Sequence, residues 1–443
     1  MGLIGGCSMD KSLLKKAAIQ SVALMLAVVT LSYALDQYQM VTIAASNILS
    51  EDTSTTDYTA STEDSLVPLE SDLTKDITAE QMNTPVEVIP NLKITSLEVL
   101  KSTVDESILQ KMGENFLVIK KPEANILAIT LDDLYVNKSI RLELTGMTGD
   151  TLTSDMISRV RGDEVFTGEP IFDEIISIVV NDEEGTSEEV ITKNFGKDLS
   201  HGITVTSLEN TVTKLYTSQV LIELDSVYAY ILYEDANYYF IDLRKPSEVY
   251  DKILVIDAGH GGKDAGALSI GEAFYEKNIN LDIVMHLKAL LDKENIKVYY
   301  TRTTDTTIFL RPRVTLANAV DCDYFISIHC NANVLTSPSG TDVLFYDNEF
   351  KGVSAAKLAD LFSDEIAKTV TLRQRGSVEK HLEDVFIMDK SLVPMILIEV
   401  GYLTNSSDML YLSNSMNRKA VAQGIYNGIM RSYNELTVTK EGQ

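Results

Sequence analysis

The chain is poor in the residues that bind nucleic acid and in those that build disulfide frameworks. Its 443 residues include 38 lysines and arginines against 65 acidic residues, a net charge of −27. Because phosphate contacts need clustered cations, this balance excludes nucleic acid as a partner. Of the three cysteines, Cys322 and Cys330 flank one predicted strand. They are too far apart along it to be bridged, so no disulfide framework is expected.

Histidine is also scarce, and two of the five histidines stand in short motifs of small residues. His260 lies in VIDAGHGG and His329 in FISIHCNA, while EKNINL contains Glu276 and LIEVGYLTN contains Glu399. Two histidines, one glutamate ligand and a second glutamate that moves protons are typical of a zinc hydrolase site. The pattern is not a phosphate-binding loop, because no Lys-Ser/Thr pair follows the glycines at the required spacing.

The length predicts two folded domains with additional segments. In residues 1–36, Lys11, Lys15 and Lys16 precede an uncharged run at 17–35 that is long enough to span a bilayer. The positive-inside rule then places the rest of the chain outside the cell, with this segment as its contact with the membrane. We interpret it as an uncleaved anchor; the alternative is a cleaved signal and a secreted protein. Residues 37–90 are rich in Ser, Thr, Asp and Glu and predict a solvated linker.

Residues 91–248 predict a separate all-β domain of the sandwich or meander type. Short segments rich in β-branched and aromatic residues alternate with polar turns. One brief helix is predicted at 154–161. The predicted strands are 92–100, 115–120, 126–131, 140–146, 174–180, 202–207, 218–224, 227–233 and 238–243.

Residues 249–437 change to alternating strands and helices, which predicts an α/β domain with a mostly parallel sheet covered by helices on both faces. Ligands of such sheets lie beyond the carboxyl ends of the strands, where His260, His329 and Glu399 fall. The predicted strands are 253–256, 297–301, 324–328, 342–346, 385–388 and 395–400, and the predicted helices are 278–294, 312–319, 354–369 and 416–433.

This last segment resembles the zinc-dependent N-acetylmuramoyl-L-alanine amidases, which cleave peptidoglycan and have an α/β fold. Besides the four motifs above, TRTTD and LRPRVTLAN are similar to a series of the family. The matching residues are Thr301, Arg302, Asp305, Leu310, Arg313, Ala317 and Asn318, with Arg375, Gly376 and Pro394 further along.

The resemblance implies that His260, Glu276 and His329 bind one Zn²⁺ ion and that Glu399 is the catalytic acid and base. Glu272, four residues before Glu276, is the rival for the glutamate ligand. The implied substrate is peptidoglycan, at the amide between N-acetylmuramic acid and L-alanine. Two alternatives stay open: a zinc peptidase that cleaves the stem peptide, and a catalytically degenerate protein that binds the cell wall and regulates it.

Several charged residues near the motifs are candidates for supporting roles. Asp257 and Asp264 flank His260, and either one orients its imidazole or stabilises the turn. Arg302 and Arg313 either bind a peptide carboxylate or pair with Asp305, and we favour the structural role.

The β-rich domain ends on YYFIDLRKP, directly before the α/β segment. This ending resembles the β-rich wall-targeting modules that often precede amidase domains. The alternative is a spacer domain that binds nothing. Residues that bind the substrate are not predicted.

Overall fold

The structure, a computed structural model, describes residues 92–149, 151–181, 186–271 and 273–439. The predicted membrane anchor and acidic linker lie outside these residues, as does Glu272. In the part of the chain that is described, no helix is both long enough and apolar enough to cross a membrane.

The β-rich segment forms two five-stranded sheets and one separate hairpin. Its strands are β1 Asn115–Lys120, β2 Ala124–Asn125, β3 Ala128–Leu134, β4 Ser139–Gly149, β5 Ile157–Arg161, β6 Glu164–Thr167, β7 Asp173–Asn181, β8 Thr186–Asn194, β9 Ser200–Glu209, β10 Tyr216–Leu224, β11 Ala229–Glu234 and β12 Tyr238–Arg244. The first sheet has the order β11-β12-β1-β5-β6 and the second has the order β2-β4-β10-β9, where β3 also pairs with β4. Strands β7 and β8 pair with each other as the hairpin. Alternating residues of both sheets meet in one core, for example Leu117 and Ile119 of β1 with Leu142 and Leu144 of β4.

The strand predicted at 92–100 is wrong, because no part of this segment is a strand. Residues Leu97–Thr103 form helix α1, and Glu106–Leu109 form the short helix α2. The Ser96 side chain caps α1 by accepting a hydrogen bond of 3.3 Å from the Val99 amide. Leu100 and Val104 then pack on the outer face of the first sheet. A short apolar run fits both helical and strand periodicity, and the cap and the tertiary contact decide between them.

The helix predicted at 154–161 is also wrong. Residues Ser154–Met156 form one turn of 3-10 helix, and Ile157 begins strand β5, which pairs with β1. Within β5, the buried Arg159 forms an ion pair of 2.7 Å with Asp198. Pairing with a central strand therefore outweighs the local preference of this segment.

The second segment is an α/β domain built on a six-stranded sheet. Its strands are β13 Ile253–Ala258, β14 Lys297–Tyr300, β15 Tyr324–Asn331, β16 Thr341–Tyr346, β19 Gln374–Lys380 and β20 Met395–Tyr402, and β17 Glu349–Phe350 and β18 Val353–Ser354 form a separate pair. The order in the sheet is β14-β13-β15-β20-β16-β19. Four of its neighbouring pairs are parallel, while β16 runs antiparallel to β20. The sheet is therefore mixed, with one reversal in a mostly parallel order.

Helices cover both faces of this sheet, as predicted. The helices of this segment are α3 Pro246–Val249, α4 Glu276–Leu291, α5 Leu310–Ala319, α6 Ala355–Thr369, α7 Phe386–Asp389, α8 Ser406–Ser413 and α9 Ser415–Glu435. Helices α4, α6 and α9 share one apolar core with the sheet, and α5 and α7 share the core on the other face. The predicted strand at 385–388 is wrong, because most of this segment forms α7. The sequence analysis also did not predict strand β19 or helix α8.

The described residues of the β-rich and α/β segments contact each other within one compact unit. The Tyr135 hydroxyl accepts a hydrogen bond of 3.0 Å from the Tyr300 amide and donates one of 3.1 Å to the Tyr300 carbonyl. Val227 joins the apolar core beneath α5 and α7. The β-rich segment thus has a core of its own and also packs on the α/β segment.

Candidate active site

The loop after β13 brings His260 to the carboxyl end of the sheet. His260 adopts a left-handed backbone conformation with φ of 61°. Gly259 must be a glycine, because a Cβ atom there would lie 2.3 Å from Cε1 of His329. Gly266 has φ of +67°, and its Cβ would lie 2.6 Å from both Glu276 Oε2 and His260 Cδ2. The glycines of this motif therefore let the loop close over the neighbouring ligand-type side chains.

Two buried arginines hold the His260 loop through its backbone carbonyls. Arg313 donates to the Ala258 and His260 carbonyls, each at 2.8 Å. Arg302 donates to the carbonyls of Ala258 and Gly259, each at 2.9 Å. Their role is therefore structural. The suggested pairing with Asp305 is wrong, since Asp305 forms its ion pair of 2.6 Å with Lys277.

The two aspartates beside His260 have different roles. Asp264 Oδ2 lies 2.9 Å from His260 Nδ1, in the position that orients an imidazole. Asp257 does not contact a histidine through a hydrogen bond: it accepts from Arg313 at 2.5 Å and from Thr301 and Ser327, each at 2.6 Å. Burial opposes ionisation of Asp257, but Arg313 holds the pKa of this carboxyl below its ordinary value.

Glu276 lies between the two histidines, as the first residue of α4. Its Oε2 is 3.2 Å from His260 Nε2, and its Oε1 is 3.0 Å from His329 Nδ1. The backbone amides of Ala267 and Cys330 donate to the same carboxylate at 2.7 and 2.9 Å. Three ligand-type side chains from a loop, a helix and a strand thus converge on one point.

The charges of this cluster stabilise one another. Burial disfavours the charged form of His260, but Glu276 and Asp264 outweigh it and raise the pKa of the imidazole to about 9. The pKa of His329 is raised against burial by Glu276 in the same way. Burial also opposes ionisation of Glu276, yet the two imidazoles hold its pKa far below the ordinary value. The cluster therefore favours a carboxylate that is surrounded by positive charge.

The cluster fits a zinc ion in both donor type and spacing. Its ligand atoms all lie within 4.8 Å of one another in the described part of the chain. A tetrahedral zinc ion with bonds of about 2.0–2.2 Å needs ligand atoms roughly 3.3–3.6 Å apart. One Glu276 oxygen lies 3.0 Å from His329 Nδ1 and the other lies 3.2 Å from His260 Nε2, so small shifts of these side chains would bring one donor of each residue to that spacing. Two imidazoles and one carboxylate also leave a fourth position open, as in catalytic zinc sites.

Glu399 lies next to this cluster on the neighbouring strand. It is the direct partner of His329 in the parallel pairing of β15 with β20. Its Oε2 is buried and has no hydrogen-bond partner among the described residues. Burial is the main cause that raises the pKa of Glu399 to about 7. A buried carboxyl without a partner is costly, which is typical of a functional group.

Cys330 and Asn280 lie directly beside the cluster and hydrogen-bond to each other. The buried Cys330 thiol donates to Asn280 Oδ1 at 3.4 Å, and burial raises its pKa well above the ordinary value. The Asn280 amide donates to Glu276 Oε1 at 3.3 Å. The sequence analysis did not identify Asn280, although its place one helical turn after Glu276 is a signal that it shares that face.

An α/β fold with a His–Glu–His cluster and an adjacent half-buried glutamate is typical of metal-dependent hydrolases. The sequence profile of the N-acetylmuramoyl-L-alanine amidases matches residues 254–431. The germination-specific N-acetylmuramoyl-L-alanine amidase of Bacillus subtilis is 31% identical over 198 residues, which cover 42% of this chain and 81% of that protein. The chain belongs to the N-acetylmuramoyl-L-alanine amidase family.

Two further similarities concern the same share of the chain. The amidase LytC of Bacillus subtilis is 31% identical over 191 residues, which cover 43% of this chain but 37% of LytC. A crystal structure of an N-acetylmuramoyl-L-alanine amidase from Clostridium difficile 630 is 34% identical, covers 42% of this chain and 98% of that one, and has a TM-score of 0.39.

Proposed function

We propose that the protein is a zinc-dependent cell wall hydrolase that cleaves the amide between N-acetylmuramic acid and L-alanine in peptidoglycan. The observation that carries this proposal is the convergence of His260, Glu276 and His329 beside the half-buried Glu399. Membership of the amidase family supports the choice of bond, and the donor set supports the choice of metal.

In this proposal the four side chains divide the work between metal binding and proton transfer. His260, Glu276 and His329 hold the zinc ion, and Asp264 keeps the His260 ring in position. A bound zinc ion would polarise the scissile carbonyl and lower the pKa of water. Glu399 takes a proton from the attacking water and returns it to the departing nitrogen of L-alanine.

The protonation behaviour of Glu399 suits this task. A general base that becomes a general acid works best when its pKa is near the working pH. Burial brings the pKa of Glu399 to about 7. Among the described residues Oε2 has no hydrogen-bond partner, so the proton that it takes up or gives away is not shared with another side chain.

We further propose that the enzyme acts outside the cell, tethered by its N-terminal segment. The support is the lysine-flanked uncharged run at 17–35, followed by the acidic linker at 37–90. If the segment is cleaved, the protein is secreted instead.

Whether the β-rich segment targets the wall or acts as a spacer is tested by comparing wall binding of the full chain and of residues 249–443.

The metal claim is tested by chelation. Removing zinc from the purified protein should abolish release of peptides that begin with free L-alanine, and one equivalent of Zn²⁺ should restore it. Release of other amines identifies a peptidase instead. A protein that binds the wall and releases no amine is the degenerate regulator.

The role of Glu399 is tested by Glu399→Gln, which keeps the shape of the side chain and removes the base. We expect the rate to fall by about 10²- to 10⁴-fold, the usual contribution of a general acid or base. Zinc content should stay at one equivalent, because Glu399 is not among the three converging residues. Undiminished hydrolysis by this variant would contradict the mechanism.

A further inference from the structure

A row of polar side chains extends from the active site across four neighbouring strands. His329 on β15 is followed by Glu399 on β20, and Glu399 stands directly opposite Asp342 on β16. Directly opposed residues of an antiparallel pair share one face of the sheet. Arg375, at the start of β19, is the next member of the row through its contact with Asp342.

Asp342 fixes the orientation of Arg375. The Nε atom of Arg375 donates to Asp342 Oδ1 at 2.6 Å, and the Asp342 side chain is 4% exposed. On its other side Asp342 accepts a hydrogen bond of 3.4 Å from the Tyr402 hydroxyl. The guanidinium also lies over the Tyr402 ring, 5.6 Å from its centre. The arginine is therefore held in place by one nitrogen and one aromatic contact.

The outer edge of Arg375 remains available to a ligand. Its side chain is 34% exposed. No acceptor lies within hydrogen-bond distance of its two terminal nitrogens among the residues that the structure describes, since its hydrogen bond to Asp342 uses Nε. Arg302 and Arg313 differ from Arg375 both in exposure and in hydrogen bonding, because they are buried and their terminal nitrogens donate to backbone carbonyls. An oriented guanidinium with free parallel N–H groups is suited to a planar carboxylate.

We propose that Arg375 binds a carboxylate of the stem peptide, one residue beyond the L-alanine whose nitrogen departs. This inference rests on the proposed function. Two strand spacings, about 10 Å in all, separate the backbones of Glu399 and Arg375. Two extended peptide residues span about 7 Å, and the long arginine side chain covers the rest. A carboxylate at that position of the stem is therefore within reach when the scissile amide lies at Glu399.

The inference is tested with two soluble substrates and the full chain loaded with zinc. One is N-acetylmuramoyl-L-alanyl-D-glutamate with a free α-carboxylate, and the other is the same compound with that group amidated. Hydrogen bonds to a charged group contribute enough to change kcat/KM by about 10- to 100-fold. We expect the unmodified protein to prefer the acid by that factor, and Arg375→Gln to bring the ratio of the two kcat/KM values close to one.

Two further variants separate binding from structural damage. Because Arg375→Gln leaves the buried Asp342 without its cation, the double variant Asp342→Asn, Arg375→Gln restores charge balance and should lose the preference equally. Arg373→Gln makes the same chemical change two residues earlier, at an exposed position, and should keep the preference.

The outcomes distinguish this inference from the proposed function. Cleavage of both substrates with a preference for the acid that survives in Arg375→Gln overturns the carboxylate site and leaves the amidase activity established. An equal loss of rate on both substrates in Arg375→Gln also overturns it, because the arginine would then be structural. If the unmodified protein cleaves neither substrate at the L-alanine amide, the proposed function fails, and the inference fails with it.

Discussion

The ion pair between Arg313 and Asp257 should be among the most destabilising places to alter in the α/β domain. Both side chains are almost completely buried, with 2% and 0% exposed, and their charged atoms are 2.5 Å apart. Arg313→Met removes the cation and leaves a buried carboxylate. Breaking a buried pair in this way costs about 3–5 kcal/mol. We expect a loss of that size in the free energy of unfolding at pH 7, measured by urea denaturation followed by circular dichroism.

The pH dependence gives this prediction a second, independent readout. Arg313 holds the pKa of Asp257 below its ordinary value in the folded protein. The pair therefore contributes stability above the unfolded pKa of about 3.9, and this is lost as the pH falls through the lower folded pKa. In Arg313→Met only His329 and the hydrogen bonds from Ser327 and Thr301 still oppose burial, so the pKa of Asp257 lies higher than in the unmodified protein and the variant gains less stability when the carboxyl ionises. The loss of stability caused by the substitution should therefore be larger at pH 7 than at pH 3.

Two controls make the result interpretable. Asp257→Asn combined with Arg313→Met removes the uncompensated charge and should recover a large part of the loss. Arg311→Met makes the same change at an exposed position on the same helix, near the Phe386 ring, and should cost less than about 1 kcal/mol. A loss below about 1 kcal/mol in Arg313→Met, or one that does not change with pH, would refute the reasoning.

Three further predictions concern the proposed zinc site and the contact between the two segments. Asp264→Ala removes the partner of His260 Nδ1 and should weaken zinc binding about 10- to 100-fold in a competition titration. Asp264→Asn should have a smaller effect. If Asp264→Ala and the unmodified protein bind zinc with equal affinity, the orienting role is contradicted. Gly266→Ala places a Cβ atom 2.6 Å from Glu276 Oε2 and should abolish zinc binding, whereas Gly271→Ala, at a similar φ with nothing within 4 Å, should retain it. Burial raises the pKa of Asp133 to about 6, above its unfolded value, so its ionisation costs stability as the pH rises from about 4 to 6. Asp133→Asn should therefore raise the free energy of unfolding at pH 7.5 by up to about 3 kcal/mol and leave it unchanged near pH 3, and no gain at pH 7.5 would contradict this.

The identity of the converging residues was accessible from the sequence, because their signals are local. His260 and His329 follow buried strands, and Glu276 opens a helix, so their positions along the chain already place them at the carboxyl edge of an α/β sheet. The structure brings these three together and leaves Glu399 beside them. Their roles in zinc binding and proton transfer stay predictions that the proposed experiments test.

Partners that are distant in sequence were not accessible in this way. Arg302 and Arg313 were expected to pair with Asp305 or a substrate, but they bind carbonyls of the His260 loop more than 40 residues away. Asp342 was not identified at all, because its position opposite Glu399 depends on the reversal of β16 against β20. No local pattern encodes that reversal.

Short apolar segments were the other source of error. Residues 97–100 and 386–388 have the composition of strands but form helices. A run of four residues fits both periods, and burial against a neighbouring sheet decides the conformation. Longer segments show a full helical repeat, and the helix predicted at 278–294 is present as α4, Glu276–Leu291, which ends three residues earlier.

By itself, the sequence determined the α/β class of residues 249–437 and placed four candidate residues at the carboxyl edge of its sheet. Both were accessible because strand and helix periodicity and the motif positions are local properties of the chain. Tertiary structure alone decided the order of the strands, the packing of the β-rich segment and the side chains that surround the site. The hydrogen bond from Arg375 to the Asp342 carboxylate and the burial of the Glu399 Oε2 atom both arise where distant strands become neighbours. Hydrogen bonding and burial between such strands are set by the whole fold.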